Sequence, residues 1–310
     1  NRSTVATTVS VIIDDDIDEA ITLTKVNCND DGADYLITDV IDINDVLTIE
    51  PGVVLAFEAN AGLVINGIIN NGVIVANGTA SEPITFTGAT QARGFWRGIK
   101  IETNDVRNEM DYVIIEYAGS DEIADDINSG VNAALSLDWE PTDFISSLKL
   151  TNSVIRENDG YGLVVERLCI LREFENNTFE NNAEAAVLME APNVGELDAS
   201  SSYTGGNGYE GVEIAGTTGN NLMTDDATWP PLSYYVSDDI EVRSTLTIEA
   251  GATLEFEANT SIRFDIDQFG PEDGVIIAEG TSTNPITFTG FQKTAGYWAG
   301  IIVQSNSNQN

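Results

Sequence analysis

The chain contains no histidine. That removes the commonest general base near neutral pH and the commonest ligand for transition metals. Ser-His-Asp triads and histidine-based zinc sites go with it. Cysteine is nearly absent. Cys28 and Cys169 are far apart and lack metal-ligand spacing, so each reads first as a small hydrophobe and a bridge between them stays open. Positive charge is scarce: 13 Lys and Arg stand against 51 Asp and Glu, a net −38. Such a field repels phosphate backbones and anionic lipid headgroups, so neither nucleic acid nor a membrane surface is expected as a partner. No apolar run approaches the ~20 residues of a membrane span, so direct membrane insertion is not expected.

What is present is repetition. Residues 47–60, LTIEPGVVLAFEAN, return at 246–259 as LTIEAGATLEFEAN. Residues 72–88, GVIVANGTASEPITFTG, return at 274–290 as GVIIAEGTSTNPITFTG. Each copy then reaches an aromatic pair and a glycine, Phe95-Trp96-Arg97-Gly98-Ile99 and Tyr297-Trp298-Ala299-Gly300-Ile301. Short β-branched runs between Gly, Pro and Asn are strands, too short for useful amphipathic helices.

A shorter repeat lies between the copies. Ile155, Phe179 and Tyr203 recur, then Asn158, Asn182 and Asn207, then Leu163, Val187 and Val212. A strand, an Asn turn and a further strand every ~24 residues is one coil of a solenoid. Stacked coils rise ~4.8 Å each, the spacing between paired strands. The fold class expected is all-β, a right-handed parallel β-helix of about a dozen coils. The three asparagines read as a structural ladder rather than ligand contacts, and Trp96 and Trp298 as structural corners. Residues 1–34 are expected to supply an N-terminal strand and cap. Residues 35–310 form the helix, with related modules at 35–119 and 234–310 joined by Asn-ladder coils at 120–233. Asn310 matches Asn108 of the first copy, where a further strand follows, so a longer natural chain is expected.

The run G-T-x-x-x-P-I-x-F-T-G, at Gly78–Gly88 and Gly280–Gly290, followed by Trp96–Ile99 and Trp298–Ile301, resembles right-handed β-helix repeat proteins exported by Bacteroidetes and other bacteria. The middle coils resemble the pectate-lyase-type repeat. The resemblance implies a secreted or outer-surface location, and a role as scaffold, adhesin or polysaccharide-active enzyme. Fold alone does not choose among these.

Candidate sites follow from chemistry. Calcium takes carboxylate and amide oxygens. Asn27, Asn29 and Asp31 precede or flank Gly32 as in the start of a calcium loop, though Thr38 stands where a closing Glu is needed. Asp121, Asp125 and Asp126 form a second acidic candidate for calcium, and Asp14, Asp15, Asp16 and Asp18 a third cluster. Trp139, flanked by Asp138, Glu140 and Asp143, is the candidate glycan platform. A lyase would need a basic proton acceptor, for which only Arg97, Lys100, Arg107, Lys149, Arg156, Arg167 and Arg172 offer themselves. No residue is singled out as catalytic. The expected function is a non-catalytic surface scaffold or binding protein, with a polysaccharide or another surface protein as partner. A lyase or glycoside hydrolase using carboxylates is the alternative.

Overall fold

In the computed structural model, residues 10–26, 32–67, 71–121, 131–140, 144–216, 221–265 and 273–304 are described. The chain winds as a parallel β-helix with three strands per coil. One sheet has seven strands, beginning at Val11–Ile13 and ending at Thr178–Glu180; one has ten, from Val40–Ile43 to Thr287–Gly290; one has six, from Ile21–Leu23 to Ile170–Glu175. Every pairing among them is parallel, as in Ile41↔Leu63 and Leu63↔Ile99. The ten strands, preceded by the Ile17↔Ile43 bridge, mark the coils and agree with the dozen expected to within about one. Excursions lengthen some coils. Asn158 and Asn182 on adjacent coils are 24 residues apart, but Ala118 and Asn158 are 40 apart.

Alternation within each strand places one stack of side chains inside. Leu63, Ile99, Leu135, Leu163, Val187, Val212, Tyr234 and Leu254 form one such stack along the ten-stranded sheet, all buried. Phe179 and Tyr203 stack at 5.9 Å, and Phe174 joins them at 6.2 Å from Phe179. Trp96 is a buried corner: it lies on Phe57 with ring centroids 4.0 Å apart and donates its indole N–H to the Glu116 carbonyl. Trp298 repeats the contact on Phe256 at 4.3 Å.

The asparagine ladder is present. Asn158 Nδ2 donates to Asn182 Oδ1 at 2.9 Å, and Asn182 Nδ2 donates to Asn207 Oδ1 at 3.0 Å. All three are buried, so each amide replaces the water it lost with a neighbour on the next coil. The ladder residue does not itself adopt the left-handed conformation. The residue before it does: Glu157 (φ 56°), Asn181 (φ 54°) and Gly206 (φ 91°). One residue turns the chain and the next ties the coils. A second ladder follows the same rule at another corner. Ser153 Oγ accepts from Val113 N, Asn177 Oδ1 from Ser153 N, and Ser201 Oγ from Asn177 N, with Asn152 (φ 51°) and Asn176 (φ 57°) in the left-handed region before Ser153 and Asn177. Gly119 (φ 91°) tolerates no side chain, because a Cβ there would sit 1.9 Å from the Asp159 carbonyl oxygen.

The coil changes register in the middle. After Ala185–Met189 a 3₁₀ helix, Ala191–Glu196, replaces the expected strand, and the seven-stranded face shrinks to a Thr178↔Ser202 bridge. Beyond it, a four-stranded sheet (Asn221–Met223 to Gly300–Val303) and a three-stranded sheet (Ala227–Trp229 to Val275–Ala278) begin. Only the ten-stranded sheet runs through. As a result the two module copies sit one face out of step. Val54–Phe57 belongs to the seven-stranded sheet, but its counterpart Thr253–Phe256 belongs to the ten-stranded one. Gly62–Ile65 is in the ten-stranded sheet and its counterpart Ser261–Phe264 is in the four-stranded one.

Glu196 closes the 3₁₀ helix and accepts the Leu171 N–H at 2.8 Å. Burial raises its carboxyl pKa to about 7, against opposing hydrogen bonds from Leu171 and Asn193. A folded-state pKa above the unfolded one means the native state holds a proton the unfolded chain has lost, so ionisation costs stability. The penalty is absent near pH 4, grows as pH rises, and is complete above about pH 7. Glu196→Gln keeps an acceptor for Leu171 and cannot ionise. It is expected to be about 2 kcal/mol more stable than the parent at pH 8 and no more stable at pH 4. Urea midpoints at the two pH values measure this; equal gains at both would show the proton is not involved.

Candidate functional site

The outer surface of the ten-stranded sheet carries a column of opposed residues, one per coil. Asp42, Val64, Lys100, Ser136, Val164, Leu188, Glu213, Tyr235, Glu255 and Thr289 succeed one another along it. Its amino-terminal part is closed off. Lys100 is 2% exposed, with Nζ 2.9 Å from Glu102 and 2.7 Å from Asp138. Ser146 Oγ lies within hydrogen-bond reach of the carbonyls of Ile101 and Asp138 beside it, and its one O–H is shared between them.

The carboxy-terminal part of the column is open and aromatic. Tyr209, Tyr235 and Phe291 touch one another, with ring centroids 5.6 Å apart for Tyr209–Tyr235, 4.8 Å for Tyr235–Phe291 and 6.4 Å for Tyr209–Phe291. Phe291 is 45% exposed, which a ring of its size avoids when a core is available. Carboxylates border the rings, and each holds a phenol. Tyr161 donates to Glu213 at 2.9 Å, Tyr209 to Glu255 at 3.3 Å, and Tyr235 and Tyr297 to Glu257 at 2.6 and 2.5 Å. Ser237 also donates to Glu213, and Lys293 pairs with Glu255 at 2.6 Å.

Burial first, then the neighbouring glutamates, push the phenols of Tyr161, Tyr209 and Tyr235 up. They are permanent donors and cannot serve as bases. The two phenols donated to Glu257 hold its carboxyl below the usual range, opposite to what a general acid requires. An ionised carboxylate has about four acceptor positions, so Glu213, Glu255 and Glu257 keep capacity for further donors.

Sequence reading alone misses this patch, although the signal was there. In the two module copies the inward positions match: Leu55 with Leu254, Phe57 with Phe256, and Trp96 with the partly buried Trp298. Glu257 keeps the Glu58 of the first copy, but other outward positions have diverged toward ligand-contacting types. Ala56 is matched by Glu255, Ala89 by Phe291, Gln91 by Lys293 and Phe95 by Tyr297. The shift of one face brings these residues onto the sheet that already carries Tyr209, Glu213 and Tyr235.

The residues expected from sequence are placed as follows. Asn27, Asn29, Asp31, Asp125, Asp126 and Asp143 lie outside the described residues. Asp121 stands 4.0 Å from Arg97. Among the described residues no group of three or more Asp, Glu or Cys side chains is arranged to hold a metal. Asp16 caps the Asp42 N–H and Asp18 accepts the Asn44 amide, so this acidic cluster ties coils together. Trp139 begins a two-residue strand, Trp139–Glu140, paired antiparallel with Phe144–Ile145, an excursion from the coil. Four further cations considered as lyase bases are engaged: Lys149 with Glu173, Arg156 with Glu116, Arg107 with Asp105, and Arg172 with the Asn108 carbonyl. Cys169 is a buried free thiol whose pKa burial pushes up, so it is unreactive. A concavity of ~350 Å³ on the four-stranded face is lined by Leu222, Asp238, Glu241 and Arg263 among others, none aromatic.

No family model, curated protein or solved structure matches this chain. The patch is therefore judged by its chemistry. Rings that present apolar faces beside oriented acceptors suit a ligand with C–H faces and many hydroxyl donors.

Proposed function

We propose that this chain is a non-catalytic β-helical scaffold that binds a glycan on the outer face of its ten-stranded sheet. The observation that carries the reading is the Tyr209–Tyr235–Phe291 cluster bordered by Glu213, Glu255 and Glu257. Stacking on the rings supplies apolar contact, and the carboxylates accept sugar hydroxyls. The coil rise of ~4.8 Å is close to the length of one sugar in an extended chain, so a polymer lying along the axis meets carboxylate, ring and carboxylate in turn. Export to an outer bacterial surface, the setting of the β-helical proteins the sequence resembles, fits a rod of this charge in a salt-rich medium. Calcium at the acidic loops belongs to the same reading as a stabiliser.

A glycan array followed by titration calorimetry tests the function. Tyr235→Ala and Phe291→Ala are each expected to weaken the best glycan more than about tenfold, as for central aromatic anchors. Trp96→Phe, far from the patch, is expected to leave affinity unchanged. Binding that survives loss of both rings would refute the assignment.

One observation favours an enzymatic reading. Glu213 and Glu255 are two coils apart, roughly 10 Å at the strand spacing, near the ~6.5–9.5 Å separation of inverting glycosidases. A reducing-end assay on each glycan that binds decides it, since release of product abolished by Glu213→Gln would replace scaffold with hydrolase.

A further inference from the structure

The sign of the charge narrows the ligand. Around the three rings stand Glu213, Glu255 and Glu257, and Glu184 is near enough to raise the Tyr161 phenol. The one cation that contacts these carboxylates, among the described residues, is Lys293, on Glu255 at its edge. The whole chain, these carboxylates included, carries −38. Uronates and sulfated sugars approach this surface against repulsion. A sugar bearing an ammonium group gains a charge-assisted hydrogen bond from each carboxylate it meets and a cation–π contact from an exposed ring face.

Resting on the glycan reading above, we infer that the patch selects a polysaccharide of protonated 2-amino sugars, a deacetylated hexosamine polymer, over its N-acetylated and uronate counterparts. Glu213, Tyr235 and Glu255 on successive coils set two carboxylates two coils apart with a ring between them, so a polymer with a cation on every sugar brings an ammonium to each carboxylate and the apolar face of the intervening sugar to the ring. Tyr161 and Ser237 hold the Glu213 carboxylate, and Tyr209 and Lys293 that of Glu255, so neither needs to order itself when ligand arrives. Lys293 opposes the ligand's charge, and its removal strengthens binding.

The experiment is calorimetric titration of the full chain with glucosamine hexamer, N-acetylglucosamine hexamer, galacturonate hexamer and a lysine hexapeptide, at low and high salt. The glucosamine oligomer is expected to bind roughly tenfold more tightly than the acetylated one, the worth of a hydrogen bond between charged groups. The preference is expected to shrink at high salt. Glu213→Gln and Glu255→Gln keep acceptors for Tyr161 and Tyr209, preserve the fold, and reduce the preference. Lys293→Gln enlarges it. Equal binding of the two hexosamine oligomers, or tighter binding of the uronate, overturns the inference and leaves the glycan reading standing. Binding of no oligosaccharide, or displacement of the glucosamine oligomer by the lysine peptide at equal concentration, overturns both.

Discussion

Lys100→Ala is expected to destabilise the chain by about 3–5 kcal/mol, the usual cost of removing one partner from a buried ion pair. The ammonium lies between Glu102 and Asp138, at 2.9 and 2.7 Å, with Lys100 2% and Glu102 4% exposed. Truncation leaves two like charges facing each other away from water, with an emptied volume between them. The loss comes from stranded carboxylates rather than from a forfeited attraction, and that can be separated experimentally. Lys100→Met combined with Glu102→Gln and Asp138→Asn removes the charges together, and is expected to recover most of the loss. Urea denaturation of the two variants beside the parent gives the comparison. A triple variant no more stable than Lys100→Ala would show that volume, not charge, dominates.

Asn182→Leu is expected to cost about 3–5 kcal/mol, summed over the polar groups it strands. The side chain is nearly isosteric, so little cavity or overpacking arises. What disappears is the central rung. Asn158 Nδ2 loses its shorter bond and keeps only the Ile115 carbonyl at 3.4 Å, Asn207 Oδ1 loses a donor, and the Ile155 carbonyl loses the second Asn182 Nδ2 bond. All lie in a buried corner that water does not reach. Each coil contacts mainly its neighbours, so the damage should stay local. Hydrogen exchange should accelerate in Tyr161–Val165, Ala185–Met189 and Tyr209–Ile214, and remain slow around Leu63 and Ile99. Uniform acceleration along the rod would contradict the nearest-neighbour picture. Asn181→Gly, at the left-handed residue one position earlier, is expected to be far milder, because glycine accepts that conformation readily.

The sequence displays its coil because inward positions repeat the same types: Ile155, Phe179 and Tyr203 at one level, Asn158, Asn182 and Asn207 at the next. Stacking demands similarity in register, and similarity is visible to the eye. The second ladder is harder to see, because Ser153, Asn177 and Ser201 do the same work with different side chains. Lys100 reads as an available cation beside Trp96, and only folding shows it enclosed by Glu102 and by Asp138 from the adjacent coil. The aromatic patch is hidden for a related reason. Tyr209 and Glu255 are 46 residues apart, Tyr297 and Glu257 40 apart, and Tyr161 and Glu213 52 apart. Their meeting depends on how many residues each intervening coil spends on excursions. It also depends on the one-face offset introduced near Ala191–Glu196, which no local pattern announces. A strand identical in type to its earlier copy therefore presents its outer residues in a different direction.

That offset has a mechanical side. Where the seven-stranded and six-stranded faces give way, the rod is held by backbone hydrogen bonds mainly along a single sheet. A beam reinforced on one side resists bending unequally. Flexure that opens the joint away from the ten-stranded sheet breaks side-chain and helix contacts and the few backbone bonds around the Thr178↔Ser202 bridge, such as Phe179 N–H to the Ser202 carbonyl, whereas flexure that stretches that sheet must part a whole strand pair, Ala185–Met189 from Tyr209–Ile214. The molecule therefore has a compliant direction and a stiff one, and the aromatic patch sits on the stiff side, where its spacing is preserved under load.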